Sequence, residues 1–281
     1  MFKSVSAVLI ALSLACLSPG ARAATWTTID HPGAISTTVY ATNTAGQMVG
    51  NFSDGQTLHG FLFQNGVFTD IDFPMSTATN CTGINGSGEI VGYYTDSTEI
   101  VTHAFTLVGT TYTSFDPPGS TSTFTGQVND AGMFVGSYRD KNNHLHGFEY
   151  NNGTYTVLDE PGANSTAALG IDLAGDIVGT APADTVPTLG FRLTAGVYHT
   201  IQYPGSTDTE AYAINDKKQI VGYTITPDGH LFGFALVGGR YVALRYPGSV
   251  MTSAYGIDSN INIVGNYQDS AAKFHGFVRT P

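Results

Sequence analysis

Charged residues are scarce in this chain of 281 residues, at 12% about half the usual share. The chain also has only two cysteines and one tryptophan. Disordered segments combine high net charge with few aromatic residues, whereas aromatic residues here reach 11%. Long helices are rich in Ala, Glu, Lys and Leu, but this chain is rich in glycine, with 34, and holds 15 tyrosines and 16 phenylalanines. The composition therefore predicts an all-β protein.

The first 23 residues have the pattern of a secretory signal peptide. Lys3 gives a positive start, the stretch 5–17 is largely apolar, and Ala21-Arg22-Ala23 is a small-x-small cleavage site. This apolar stretch is too short to span a membrane, and no later stretch approaches the length of about 18 residues that spanning requires. We predict a signal peptide over 1–23, cleaved near Ala23, with retention as an anchor as the alternative. The mature protein, 24–281, is then secreted to the periplasm or the exterior.

The mature chain is acidic. Loss of Lys3 and Arg22 takes the net charge from −11 to −13. Such a protein repels phosphate backbones, so we exclude nucleic acid as a partner. Cys81 is the one thiol left after cleavage, so no intramolecular disulfide is expected, and we predict that this side chain fills a small buried space.

A period of 43 residues runs through the mature chain, whose 258 residues equal six periods. The dipeptide Val-Gly recurs once in each, at Val49-Gly50, Val91-Gly92, Val135-Gly136, Val178-Gly179, Val221-Gly222 and Val264-Gly265. Internal repetition of this length is typical of repeat folds, so we predict the architecture from the repeat.

Each period is predicted to hold four short strands. In the second, strands are expected over 81–85, 89–94, 103–107 and 112–116, and Asn85-Gly86-Ser87-Gly88 supplies a tight turn. Four antiparallel strands repeated six times predict one domain, a six-bladed β-propeller of four-stranded blades.

A short motif in the third strand resembles a known repeat. His59-Gly60-Phe61, His103-Ala104-Phe105, His146-Gly147-Phe148 and His275-Gly276-Phe277 are similar to the HAF repeat of predicted extracellular proteins. The fourth and fifth periods depart from it, with Leu189-Gly190-Phe191 and Phe232-Gly233-Phe234. The resemblance implies secretion and a repeat fold, but it implies no activity and no catalytic residues.

The ends of the mature chain are predicted to close the ring. The last period lacks a fourth strand, and residues 25–30 have the fourth-strand pattern, so we place them as the outer strand of the sixth blade. This register pairs third-strand histidines with fourth-strand aspartates as His59–Asp72, His103–Asp116, His146–Asp159 and His275–Asp30. Repetition in four blades favours a structural role for these pairs over a catalytic relay, because an enzyme needs one site.

The long loops and blade-to-blade crossovers are expected on one face, which we take as the working face. An aspartate at each of four loop starts follows an aromatic residue by two positions: Phe52 and Asp54, Tyr94 and Asp96, Tyr138 and Asp140, Tyr267 and Asp269. An aromatic face beside a hydroxyl acceptor suits sugar binding, so we predict these eight residues as ligand-binding. The alternative is a turn-forming aspartate beside a packed ring.

Residues that break the repeat are the candidates for catalysis. The third loop carries Asp140 and His144, and the next crossover carries Glu160, so paired carboxylates for glycan cleavage could be Asp140 and Glu160. The histidines lack zinc-ligand spacing apart from the H-x-H pair His144 and His146. Calcium would suit an acidic face, but no D-x-[DN]-x-[DN]-G loop occurs. We therefore assign no metal and no cofactor.

Three functions remain open at this stage. The first is a monomeric binding module for extracellular polysaccharide or another surface glycan, working through the long-loop face. The second is a glycan hydrolase or lyase with one site near the mouth of the central channel. The third is a structural extracellular repeat protein.

Overall fold

The computed structural model describes residues 24–98, 101–182 and 188–281. The predicted signal peptide and its cleavage site lie outside these residues. In the described part of the chain, every regular secondary-structure element is a β-strand. None of its segments forms a helix long and apolar enough to cross a membrane.

The strands form six units of four. Unit 1 comprises β2 (Ser36–Thr42), β3 (Met48–Ser53), β4 (Leu58–Gln64) and β5 (Val67–Ile71). Unit 2 comprises β6 (Ser76–Ile84), β7 (Ile90–Asp96), β8 (Thr102–Val108) and β9 (Thr111–Phe115). Unit 3 comprises β10 (Ser122–Val128), β11 (Phe134–Arg139), β12 (Leu145–Asn151) and β13 (Thr154–Leu158).

The second half of the chain continues this pattern. Unit 4 comprises β14 (Ala167–Ile171), β15 (Ile177–Thr180), β16 (Gly190–Thr194) and β17 (Val197–Ile201). Unit 5 comprises β18 (Asp208–Ile214), β19 (Ile220–Ile225), β20 (Leu231–Val237) and β21 (Arg240–Leu244). Unit 6 comprises β22 (Met251–Ile257), β23 (Ile263–Gln268), β24 (Phe274–Thr280) and, as its outer strand, β1 (Thr25–Ile29).

Strand pairing within each unit is antiparallel, but the number of separate sheets differs from the six predicted. Units 3 to 6 are four-stranded sheets, whereas units 1 and 2 belong to one eight-stranded sheet. A single parallel bridge between Leu58 and Ala78 joins β4 to β6. This bridge forms because β6 is longer than expected: it begins at Ser76 rather than at Cys81 and so reaches the start of β4.

The first strand of every unit is an inner strand with a register shift in its middle, for example between Val39 and Ala41. Such a bulge re-aims the extra side chain. Tyr40, Tyr212 and Tyr255 occupy bulge positions, and their side chains line a cavity of about 210 Å³ to which all six units contribute. The chain is therefore an all-β propeller of four-stranded antiparallel blades around a shared central cavity.

The core lies between neighbouring units. The third strand of each unit contributes one fully buried phenylalanine: Phe61, Phe105, Phe148, Phe191, Phe234 and Phe277. Cys81 is also fully buried, as the sequence predicts. At the far ends of the inner strands, side-chain amides tie adjacent units together: Asn43 Nδ2 donates to the carbonyl of Asn85, and Asn129 Nδ2 donates to that of Asp172.

Candidate functional site

All four predicted histidine–aspartate pairs are hydrogen-bonded between the third and fourth strands. The histidine Nδ1 lies 2.6–3.1 Å from the carboxylate in His59–Asp72, His103–Asp116, His146–Asp159 and His275–Asp30. Each Nε2 faces the aspartate that starts the neighbouring loop, at 3.7 Å from Asp54, 3.3 Å from Asp96, 3.7 Å from Asp140 and 3.2 Å from Asp269. Each of these imidazoles therefore stands between two carboxylates.

The carboxylates change the titration of two of these histidines. Burial alone would lower the pKa of His103, but hydrogen bonds and charge from Asp116 and Asp96 raise it above its usual value. The pKa of His59 is raised in the same way, against the effect of burial. Unit 5, which lacks the pair, uses a different contact at this place: the Arg245 guanidinium lies 3.8 Å from the centre of the Phe232 ring.

The loop aspartates shape their own loops. Asp140 Oδ1 accepts hydrogen bonds from the backbone N–H groups of Asn142 and His144, both at 2.8 Å. Asp269 makes the same two bonds with Ala271 and Lys273. These backbone donors lower the pKa of both aspartates. One carboxylate oxygen thus holds the turn, and the other faces the histidine.

Three of the four predicted sugar-stacking rings are covered. A residue from the preceding crossover lies flat on each, with 3.6–3.7 Å between ring centres: His31 on Phe52, Phe73 on Tyr94, and Tyr246 on Tyr267. The opposite side of each ring faces the histidine of its own unit. Phe52 and Tyr94 are correspondingly only 5% and 8% exposed. These rings are packed residues, and a sugar cannot stack on them without displacing a neighbour.

Tyr138 in unit 3 differs from the other three rings. Its crossover position is Pro117, a smaller ring with no aromatic face. In unit 2 the ring centre of the corresponding Phe73 lies 3.6–5.7 Å from the ring centres of Tyr94, Phe105 and Tyr112. The equivalent residues of unit 3 are Tyr138, Phe148 and Tyr155, and together with Pro117 and Pro118 they line a groove of about 470 Å³. We call this the unit 3 groove.

Pro117 also changes the crossover hydrogen bonds. In the other units the backbone N–H at this position donates to a threonine six residues later, as Phe73 does to Thr79 at 3.0 Å. Proline has no N–H. Thr123, the equivalent threonine, therefore does not receive this bond, although it donates to Ser120 Oγ at 3.4 Å, a contact between serine and threonine that units 2, 5 and 6 also have. The groove thus results from a single residue that departs from the repeat.

The predicted catalytic residues are only partly brought together. Asp140 lies beside His144 and His146, and one ligand atom from each lies within 4.8 Å of the others, so these three could hold a metal ion. Glu160 lies in the crossover after β13, where burial raises its pKa. The carboxylate pair of Asp140 and Glu160 for glycan cleavage stays a prediction.

The carboxyl group of Glu210 is hydrogen-bonded to Tyr212, one of the tyrosines that line the central cavity. Glu210 pairs directly with Tyr223 across β18 and β19. Burial raises the pKa of Glu210, although hydrogen bonds from Tyr223 and Tyr212 act in the opposite direction. Gln127 Nε2 of unit 3 donates to the Tyr255 carbonyl of unit 6 at 3.0 Å, and both residues line the cavity. Aligning the periods could have revealed this site, because tyrosine recurs at positions 40, 212 and 255.

Comparisons with known proteins support the fold. No protein-family model matches the chain, and no curated protein matches it in sequence. Solved propeller structures are similar in shape. The six-bladed fucose-binding lectin of Aleuria aurantia has a TM-score of 0.55 and 12% identity over 90% of this chain and 93% of its own. AofleA of Arthrobotrys oligospora has a TM-score of 0.59 and 11% identity over 93% of this chain and 88% of its own. The Trypanosoma rangeli sialidase has a TM-score of 0.53 and 9% identity over 86% of this chain and 54% of its own.

Proposed function

We propose that this protein is a secreted, six-bladed propeller that binds extracellular glycan in the unit 3 groove. In this proposal units 1 and 2 count as two blades despite their shared bridge, and membership of the HAF-repeat family accounts for the recurring third-strand motif. Residues 1–23 direct secretion, which is tested by comparing culture medium from cells that express the chain with and without them. The observation that carries the binding role is the open ring of Tyr138.

Contacts between the ends of the chain support ring closure. Every residue of β1 pairs with β24, from Thr25 with Thr280 to Ile29 with Gly276. Unit 1 then packs on unit 6, where Asn266 Nδ2 donates to Thr38 Oγ1 at 3.1 Å. Buried Val39 of unit 1 belongs to the same hydrophobic cluster as Val264 and Val278 of unit 6. β1 therefore covers the sheet edge that β24 would otherwise expose.

The chemistry of the groove fits a sugar. Tyr138 and Tyr155 supply the aromatic surface on which the apolar face of a pyranose stacks, and their hydroxyls can bond the hydroxyl groups of the sugar. Its volume falls in the range of roughly 300–1,000 Å³ typical of small-molecule sites. The net charge of −13 of the mature chain disfavours acidic polysaccharides, so we expect a neutral glycan. Lectins of the same fold, including the fucose-specific lectin of Aleuria aurantia, are consistent with this class of ligand.

The proposal is tested by measuring binding of a neutral glycan panel to chain 24–281 and to Pro117→Phe. The introduced ring would fill the groove as Phe73 does in unit 2, and the restored backbone N–H could donate to Thr123, so the variant should fold at least as well. We expect a loss of affinity of about tenfold or more, because the ring contacts are blocked. Glu160→Phe, which places the same side chain in the next crossover, serves as the control and should bind normally. Equal binding by Pro117→Phe and the native chain would refute the groove as the site.

The number of sites separates this proposal from a lectin that uses every repeated Tyr/Asp pair. Three of those rings are covered, so we expect one glycan per chain in calorimetric titration. Several equivalent sites per chain would instead support the repeated pairs.

A second function, glycan cleavage, is favoured by Glu210. A half-buried carboxyl with a raised pKa beside two tyrosine hydroxyls has the character of a general acid. If the protein cleaves glycans, shorter products will appear in the same panel and Glu210→Gln will abolish them, while Pro117→Phe reduces binding. Absence of product from the native chain would dismiss this second function and leave the first intact.

A further inference from the structure

We propose that Asp140, His144 and His146 form a binding site for a first-row transition-metal dication, with Zn²⁺ as the reference ion. The three residues lie in and beside the loop between β11 and β12. This site is distinct from the unit 3 groove, and the proposal does not depend on glycan binding.

The spacing of the three side chains matches a coordination polyhedron. Asp140 Oδ2 lies 3.6 Å from His144 Nδ1 and 3.7 Å from His146 Nε2. These separations are too long for hydrogen bonds. They are close to the edge of about 3.4 Å that joins two ligands of a tetrahedral ion with metal–ligand bonds of roughly 2.0–2.2 Å. One ligand atom from each of the three residues lies within 4.8 Å of the others, so one ion could contact all three once the two imidazoles rotate towards it.

Neighbouring groups already orient two of these ligands. Asp140 Oδ1 is held by two backbone N–H groups of its own turn, and Oδ2, which also accepts a hydrogen bond from Asn142 Nδ2 at 3.4 Å, faces the two histidines. His146 Nδ1 lies 2.9 Å from Asp159 Oδ2, so Nε2 is the nitrogen that faces Asp140. A carboxylate behind a histidine in this way is the usual support of a metal-ligating imidazole.

Unit 6 provides an internal comparison. Its loop has the same turn, in which Asp269 Oδ1 accepts hydrogen bonds from two backbone N–H groups. The residue just before the last loop position, Ala272 in unit 6 and Asn143 in unit 3, has a left-handed backbone conformation in both units. Its aspartate and histidine lie closer together, at 3.2 Å between Asp269 Oδ2 and His275 Nε2. Where unit 3 has His144, unit 6 has Lys273, and an ammonium group has no lone pair with which to ligate a metal ion.

The type of ligand indicates the type of ion. Two imidazole nitrogens and one carboxylate oxygen suit Zn²⁺, Cu²⁺, Ni²⁺ and Co²⁺, whereas Ca²⁺ and Mg²⁺ prefer oxygen ligands alone. Three protein ligands also leave a coordination position for water. Because the His144 side chain is 64% exposed, an ion can reach the site from solvent.

The test is calorimetric titration of Zn²⁺ into chelator-treated chain 24–281 without a polyhistidine tag, at neutral pH. We expect one Zn²⁺ per native chain. His144→Lys copies the unit 6 loop and should weaken binding by at least about 100-fold. Asp159→Asn should weaken it by roughly 10–100-fold, because it removes the support of His146.

The reciprocal variant makes the test independent of any loss of folding. Lys273→His gives unit 6 the same three ligand types, so this variant should bind two Zn²⁺ per chain. Replacement of Zn²⁺ by Co²⁺ should give the intense visible absorption of a four-coordinate site in the native chain and lose it in His144→Lys. Failure of the native chain to bind Zn²⁺, or unchanged affinity in His144→Lys, would overturn the assignment.

Discussion

Gly136, the glycine of one Val-Gly step, should not tolerate alanine. A Cβ at this position would lie 2.2 Å from the Phe124 carbonyl oxygen and 2.7 Å from two carbons of the Phe148 ring. Real Cβ atoms do not approach other heavy atoms so closely, so β10, β11 or the fully buried Phe148 ring must move. The recurrence of Val-Gly follows from this packing: the ring of the third strand lies against the bare backbone of the second.

The cost of Gly136→Ala can be worked out from these contacts. Overpacking a rigid core costs typically about 1–3 kcal/mol. Moving the Phe124 carbonyl also weakens pairing between β10 and β11, at about 1 kcal/mol for each hydrogen bond lost. We therefore expect a loss of roughly 3 kcal/mol in the free energy of unfolding. For a protein of this size, that corresponds to a fall in Tm of roughly 6–12 °C.

Thermal and urea unfolding of chain 24–281 measure this effect, with Gly196→Ala as the control. Gly196 has a φ of +78°, and a Cβ added there would have no atom within 4 Å. Alanine at this position therefore costs only its conformational strain of about 1–2 kcal/mol. If Gly136→Ala proved no less stable than Gly196→Ala, the packing explanation of the repeat would be refuted.

Two further predictions concern pH. Burial alone would raise the pKa of Asp176, but hydrogen bonds from Thr194, Arg192 and Lys218 lower it to about 2. The ionised carboxylate should therefore contribute about 2 kcal/mol to the free energy of unfolding above pH 4. This contribution should disappear as the pH falls towards 2. Asp176→Asn should therefore be destabilised by about that amount at pH 7 in urea unfolding, and a wild-type unfolding curve would contradict the assignment. Because the pKa of His103 is raised, the contribution of His103 to the free energy of unfolding is fully present below about pH 6.5 and is lost as the pH rises through the folded-state pKa. His103→Gln should flatten that part of the pH–stability profile, and an unchanged slope would count against it.

The repeat made much of the fold predictable, because its signals recur at fixed spacing. The tight turns, the four strands of each period and the pairing of His275 with Asp30 all follow from comparing one period with the next. The bridge between Leu58 and Ala78 was not predictable in this way, because it depends on how far one inner strand extends.

The candidate site was less predictable than the fold, because its features depend on contacts between distant positions. Whether Tyr94 is open or covered is decided by Phe73, which lies 21 positions earlier and meets it only in the folded chain. The unit 3 groove arises where Pro117 breaks that relationship. The proximity of Asp140 to His146 similarly depends on a turn that is closed by hydrogen bonds from backbone N–H groups to the Asp140 side chain.

The central claim, that the unit 3 groove binds glycan, is tested most directly by a crystal structure of chain 24–281 with the neutral glycan that it binds most tightly. We predict a sugar ring stacked on Tyr138, between Pro117 and Tyr155, and no sugar on the covered ring of Tyr94. A sugar located at the other loops, in the central cavity or beside Glu210, with the unit 3 groove empty, would contradict the account.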